Sequence, residues 1–127
     1  DALQLFYDTL YHAVAAIDGA NTSAIIDAMI AGKPGIAVLT EEYKNTQGDT
    51  KHFSQLVDAR ALYLSQGARG VPRNITYLLD GSDELTENRE AFIRRYIRPR
   101  GLDRAAGEIA ADEIEILIQE VQKSVVT

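Results

Sequence analysis

The stretch that decides the fold is Ala15 to Leu39, AAIDGANTSAIIDAMIAGKPGIAVL. A short apolar run, Ala13 to Ile17, ends at Asp18-Gly19 and reads as a buried strand. Small and polar residues follow. Thr22 or Ser23 suits a helix N-cap, because its hydroxyl can accept from the free amides of the first turn. Ala24 to Ala31 then reads as a helix. Gly32 sits at its end, where a left-handed residue costs least, and Pro34 prevents continuation. Ile36 to Leu39 supplies a second apolar strand. Short, wholly apolar strands alternating with helices indicate a parallel sheet covered on both faces.

The pattern extends outward from there. Leu3, Phe6, Leu10, Ala13 and Val14 recur at helical spacing and predict a helix over residues 2–12. Residues 40–50, TEEYKNTQGDT, read as a polar loop that is long for an α/β connection, and such loops in compact domains are often functional. A helix is predicted from His52 to Ala59, a third strand from Ala61 to Leu64, and a loop from Gln66 to Gly70. Pro72 suits the first turn of a helix running to about Leu79, and Asp80-Gly81-Ser82 reads as a turn. Glu84 to Ile97 is a predicted helix carrying Leu85, Ala91, Phe92 and Tyr96, broken by Pro99. A last helix, opening at Arg104 or Gly107, runs to Lys123 with Ile109, Ile114, Leu117, Ile118 and Val121 on its inner side. The order is α-β-α-β-α-β-α-α-α. The expected fold class is therefore α/β, a three-layer Rossmann-like partial domain with a short parallel sheet and C-terminal helices.

Composition bounds the function. The 127 residues fit one domain, residues 1–127. A formal net charge of -6 argues against non-specific nucleic-acid binding, which needs a basic face. The absence of cysteine excludes disulfides and thiolate metal sites, and fits a reducing compartment. No cluster has zinc-ligand spacing, so no metal site is expected. No apolar run approaches the roughly 20 residues of a membrane span. The opening, DALQLFYDTLYHAV, lacks a basic start and a signal-peptide apolar block and reads as an amphipathic helix with no cap before it, as in a piece of a longer chain. There is no P-loop, no G-x-G-x-x-G fingerprint and no nucleophile elbow.

Three blocks carry a resemblance: DGANTSAIIDAMIAGKPGIAVL, TQGDTKHFSQL and FIRRYIRPRGLDRAAGEIAADEIE. Together, in this order and spacing, they resemble the C-terminal half of bacterial GT-B-type glycosyltransferases. The nearest groups are the sugar-nucleotide-dependent transferases of surface-polysaccharide synthesis and the CDP-glycerol glycerophosphotransferases. The resemblance runs from about Asp18 to about Leu117. It implies a donor-binding domain that holds a nucleotide-diphosphate sugar, or CDP-glycerol, as substrate and needs no further cofactor. It also implies a separate N-terminal acceptor domain that this stretch does not contain, an incomplete cleft, and a cytoplasmic setting, at the inner face of the membrane in some such enzymes.

The candidate site residues follow. The turn Gly19, Ala20, Asn21, Thr22 and Ser23 opens a helix after a strand, where free amides and the helix dipole suit a phosphate. Read without the resemblance, the same turn is an ordinary capped βα connection. Asp27 follows in the same helix. The resemblance implies a carboxylate there that holds donor hydroxyls, while its position alone implies only a complement to the dipole. The loop TEEYKNTQGDTKHF offers Thr40, Glu41, Glu42, Tyr43, Thr46, Gln47, Thr50 and His52. Glu41 and Glu42 are adjacent, so a strand-like backbone would point them apart. With Thr50 as its cap, His52 begins a helix. It is the catalytic candidate, able to hydrogen-bond a phosphate leaving group, or else a surface histidine at a helix start. His12 reads as structural. Five arginines, Arg94, Arg95, Arg98, Arg100 and Arg104, could meet an anion or an acidic headgroup, or form a solvated face. In the resembling family the R-P-x-G-L-D segment positions the last helix, which favours a structural role for Arg98 and Gly101. The alternative to a donor domain is a non-catalytic Rossmann-like module that pairs with itself or with a partner protein through unmatched apolar surface.

Overall fold

A computed structural model of the chain describes residues 1–19, 22–48 and 50–125. The chain forms two compact units, Asp1–Ile93 and Arg94–Thr127.

The first unit is a Rossmann-like α/β layer built on three parallel strands in the order β1-β2-β3. These are β1 (Ala16–Asp18), β2 (Gly35–Leu39) and β3 (Tyr63–Gln66). Ala16 stands opposite Gly35 and Asp18 opposite Ala37. Ile36 stands opposite Tyr63 and Leu39 opposite Gln66. The central strand, GIAVL, is buried along nearly its whole length, which is why it reads as a continuous apolar run.

Helices link the strands. Asp1 caps α1 (Ala2–His12), its carboxylate accepting from the Gln4 N–H at 2.9 Å. A cap therefore exists where the sequence suggested none. The helix α2 (Ala24–Ile30) packs Ile25, Ala28 and Met29 into the core. It ends as expected at Gly32, whose φ of 76° lets the Lys33 N–H reach back to the Ala28 carbonyl at 2.8 Å. Phe53 and Leu56 of α4 (Lys51–Asp58) join Ile36, Ala37, Val38, Ala61, Leu62 and Leu78 in the same core. Full burial of side chains such as Met29, Ile36 and Leu56 contributes roughly 1.5–3 kcal/mol each. After β3 come α5 (Val71–Leu79), with Pro72 in its first turn as expected, and α6 (Thr86–Phe92).

Several expectations shift. The first strand begins at Ala16 rather than Ala13, and Ile17 is 54% exposed, so β1 is not covered on both faces. The third strand lies two residues later than predicted. Ala61 and Leu62 are buried ahead of it, where the Ala61 N–H bonds the Leu56 carbonyl at the end of α4. The expected loop over residues 40–50 is partly helical, with a 3₁₀ turn at Glu41–Tyr43 followed by α3 (Lys44–Gln47). The helix expected over residues 84–97 turns from α-helical to π-helical at Ile93–Ile97.

The second unit is dominated by α7 (Ala106–Val125). Its expected inner side is exposed: Ile114, Leu117, Ile118 and Val121 are each more than half accessible. The arginines before it bind its first turns. Arg104 meets Asp112 at 2.9 Å and Glu108 at 3.7 Å, and Arg100 pairs with Glu113. The Arg98 guanidinium donates to the Arg104 carbonyl. Arg98, Arg100 and Arg104 thus fasten the start of the last helix. Arg95 lies over the Tyr96 ring, 5.1 Å from its centroid. Among the described residues no helix is long and apolar enough to cross a membrane.

Candidate functional site

Parallel strands place all their carboxyl ends on one edge, and in open α/β sheets ligands sit beyond that edge. Here the edge is formed by Asp18, Leu39 and Gln66 with the turns that follow them. Gln47 organises it. Its side chain is only 2% exposed, and its Nε2 donates to the Val38 carbonyl at 2.8 Å and to the Gly19 carbonyl at 3.4 Å. Its Oε1 accepts from the Thr40 N–H at 3.4 Å. One amide thus pins the loop after β2 to that strand and to the turn after β1.

Beside Gln47 lies a cavity of about 280 Å³, lined by Leu39, Thr40, Glu41, Lys44, Gln47, Gly48 and Gln66. Within this lining the Thr40 hydroxyl is buried and has no hydrogen-bond partner among the described residues. An orphaned buried hydroxyl costs about 1–3 kcal/mol, so such a group usually has a partner. Lys44 supplies a cation there. Its ion pair with Glu41 is long, 3.8 Å, between side chains 71% and 93% exposed, and so leaves the ammonium free to meet another anion.

The residues expected to cradle a phosphate are arranged differently from the simple helix-start picture. Ala20 and Asn21 lie outside the described residues. Gly19, Thr22 and Ser23 are exposed at the same edge, and at Gly19 a side chain would meet open space. Ser23 flanks α2 without a side-chain cap bond. The Thr22 N–H is instead taken by the Asp18 carboxylate at 2.6 Å. Asp18 is itself 9% exposed. The expected hydroxyl cap is not formed at Ser23, and the Asp18 carboxylate holds an amide ahead of the helix, where it competes with any anion for that amide. Asp27 is half-buried in the first turn of α2.

His52 stands exposed in the first turn of α4 and does not line the cavity. Thr50 does not cap that helix. Its hydroxyl donates back to the Thr46 and Gln47 carbonyls, at 3.1 and 3.3 Å. Glu41 and Glu42 are both exposed on the 3₁₀ turn. Among the described residues no group of three His, Cys, Asp or Glu side chains stands together as metal ligands would. The structure thus brings Gly19, Thr40, Lys44 and Gln47 to one place and keeps His52 and Asp27 out of the cavity lining. Residue type alone did not single out Thr40 and Gln47 within their loop; burial of their polar atoms does.

Fold and edge together define a Rossmann-like α/β protein with a polar pocket at the carboxyl ends of its strands. No family model, curated protein or solved structure matches the chain.

Proposed function

We propose that this chain is the donor-binding part of a nucleotide-sugar-dependent glycosyltransferase, or of a related glycerophosphotransferase, and that its acceptor site belongs to another domain. The observation that carries the reading is the Thr40 hydroxyl, buried without a partner among the described residues in the wall of the cavity beyond β2 and β3. A bound polar ligand supplies the missing bond. Lys44 offers a cation to a phosphate, and Gly19, Thr22 and Ser23 are exposed at the same sheet edge. Sequence resemblance narrows the ligand to a nucleoside diphosphate bearing a sugar or glycerol. His52 is the catalytic candidate in this reading, exposed in the first turn of α4 outside the cavity lining and so open to a leaving group that the acceptor domain brings to it. The chain alone binds donor without turning it over, and its nucleotide substrate places it in the cytoplasm.

The test is titration of the isolated chain with UDP, GDP and CDP, followed by amide NMR. Saturable shifts at Thr40, Lys44 and Gln47 with one of the three support the reading. No shift at these residues with any of them sinks it.

A second reading has its own observation. Ile17 of β1 and Leu5, Tyr7 and Tyr11 of α1 are about half to two-thirds exposed, more apolar surface than a finished α/β layer leaves uncovered. A non-catalytic module that pairs with itself or a partner protein would use it. Sedimentation separates the two: a tight dimer indifferent to all three nucleotides supports the module.

A further inference from the structure

The free edge of β3 faces α5 across a groove of about 830 Å³, which adjoins the Thr40 cavity at Gln66 and shares no other lining residue with it. Among the described residues β3 pairs only with β2. The Gly67 N–H donates to the Leu39 carbonyl at 2.9 Å, so by the two-residue period of a strand the N–H groups of Leu64 and Gln66 point to the open side. Natural edge strands are usually guarded by lysine, proline or a bulge. The strand YLSQ has none of these, its four-residue length being its one safeguard, and Leu64 is 42% exposed.

The opposite wall is α5, which runs back along β3. Its early residues Arg73 and Asn74 stand toward the carboxyl end of the strand. Close packing holds that end together: a side chain added at Gly70 would meet Ser65 Oγ at 2.5 Å. Tyr77 reaches the other end, where its ring meets Tyr63 edge-on at a centroid distance of 6.3 Å. Asp80 and Glu84 lie beyond it. The groove is thus cationic at one end and carboxylate-lined at the other. Among the described residues neither Arg73 nor Asp80 has an ion-pair or hydrogen-bond partner for its side chain.

We propose that this groove binds an extended peptide segment, which adds a strand to the free edge of β3 with an acidic residue at Arg73 and a basic residue at Asp80. Main-chain bonds to Leu64 and Gln66 supply affinity, and the two charged ends set the register. A peptide fits better than a compact small molecule, because the wall offers a row of main-chain groups and widely separated opposite charges. This proposal does not rest on the donor reading, and Leu64, which lines the groove and not the Thr40 cavity, tells the two sites apart.

The test uses the whole chain and two probe peptides, acetylated and amidated: Glu-Val-Thr-Val-Lys for antiparallel and Lys-Val-Thr-Val-Glu for parallel pairing. Amide NMR and hydrogen exchange are read at β3. One peptide should give saturable shifts and slowed exchange at Leu64 and Gln66, with Thr40 unmoved. Arg73→Glu should weaken that peptide about tenfold and strengthen Lys-Val-Thr-Val-Lys. Arg73 is exposed, so this variant keeps the fold. Three results overturn the proposal: no change at Leu64 and Gln66 with either peptide, binding indifferent to Arg73→Glu, or concentration-dependent shifts at the same amides without peptide. The last would mean that a second copy of the chain takes the edge.

Discussion

Gln47 and Val38, nine residues apart, are joined by a 2.8 Å hydrogen bond from a buried side-chain amide to the carbonyl of the central strand. The same amide also serves Thr40 and Gly19, so one side chain holds the loop after β2 closed over the sheet edge. Gln47→Ala should destabilise the protein by about 1–3 kcal/mol, because it removes these bonds and opens a void at a buried position. Chemical denaturation measures the loss. Hydrogen exchange should also show faster opening at Thr40 than in the parent chain. A variant as stable and as well protected as the parent would show that the loop is held by other means.

A second relationship anchors the entrance to α6. Arg89, buried to 4% side-chain exposure, forms two bonds to Asp83, at 2.6 and 3.2 Å. Asp83 also accepts from the Tyr63 hydroxyl at 3.0 Å and from the Leu85 N–H at 3.3 Å. Asp83→Ala leaves a guanidinium buried without its counter-ion and should cost about 3–5 kcal/mol. Replacing both residues with apolar ones of similar volume should cost less than the single change. A double-mutant cycle by denaturation decides this, and simple additivity would refute a coupled pair.

The pH dependence follows from the same network. Burial alone would raise the Asp83 carboxyl, but hydrogen bonds from Arg89 and Tyr63 and the charge of Arg89 outweigh it and hold the group below its ordinary value. A carboxylate lowered in the folded state adds stability that is present above its unfolded value and is lost as pH falls through the folded one. Stability should therefore fall on acidification below about pH 4, and less steeply in Asp83→Asn. The alkaline side has the opposite sign. A hydrogen bond to Glu84, with burial and the Glu84 charge adding to it, pushes the Tyr77 phenol up to about 12. Its stabilisation is complete below the ordinary tyrosine value and fades as pH rises toward 12. Tyr77→Phe should flatten that limb. Thermal melts across pH measure both limbs.

Those relationships mark what the sequence could and could not disclose. Local signals were readable. Gly32 ends α2 with a left-handed turn, Pro72 opens α5, and GIAVL is the buried central strand. Apolarity reports burial rather than pairing, which is why the expected third strand takes in the buried Ala61 and Leu62 and stops at Leu64, short of the polar Ser65 and Gln66. Ser23 and Thr50 flank α2 and α4 without a side-chain cap bond, because residue type permits a cap but only the local backbone and side-chain geometry makes one. The clamp by Gln47 spans 28 residues to Gly19, and no spacing rule reaches that far. Arg89, in the charged run TENREAF, has the composition of a surface residue, and only the packing shows it buried.

Thr40 offers the sharpest test of the donor site, because stability and binding should move in opposite directions. Its hydroxyl is buried with no partner among the described residues, so it costs the ligand-free protein free energy. Thr40→Val keeps the shape and removes the unsatisfied group, and should stabilise the free protein by about 1 kcal/mol. The same change removes the bond that a bound nucleotide would make, and should weaken the best of UDP, GDP and CDP about tenfold. Thermal melts read the first effect and calorimetric titration the second. A Val variant that melts lower would mean that the hydroxyl is satisfied in solution. A stabilised variant with undiminished nucleotide affinity would mean that the ligand never touches it. Only the paired outcome, higher melting and weaker binding, fits a hydroxyl held ready for a donor phosphate or sugar.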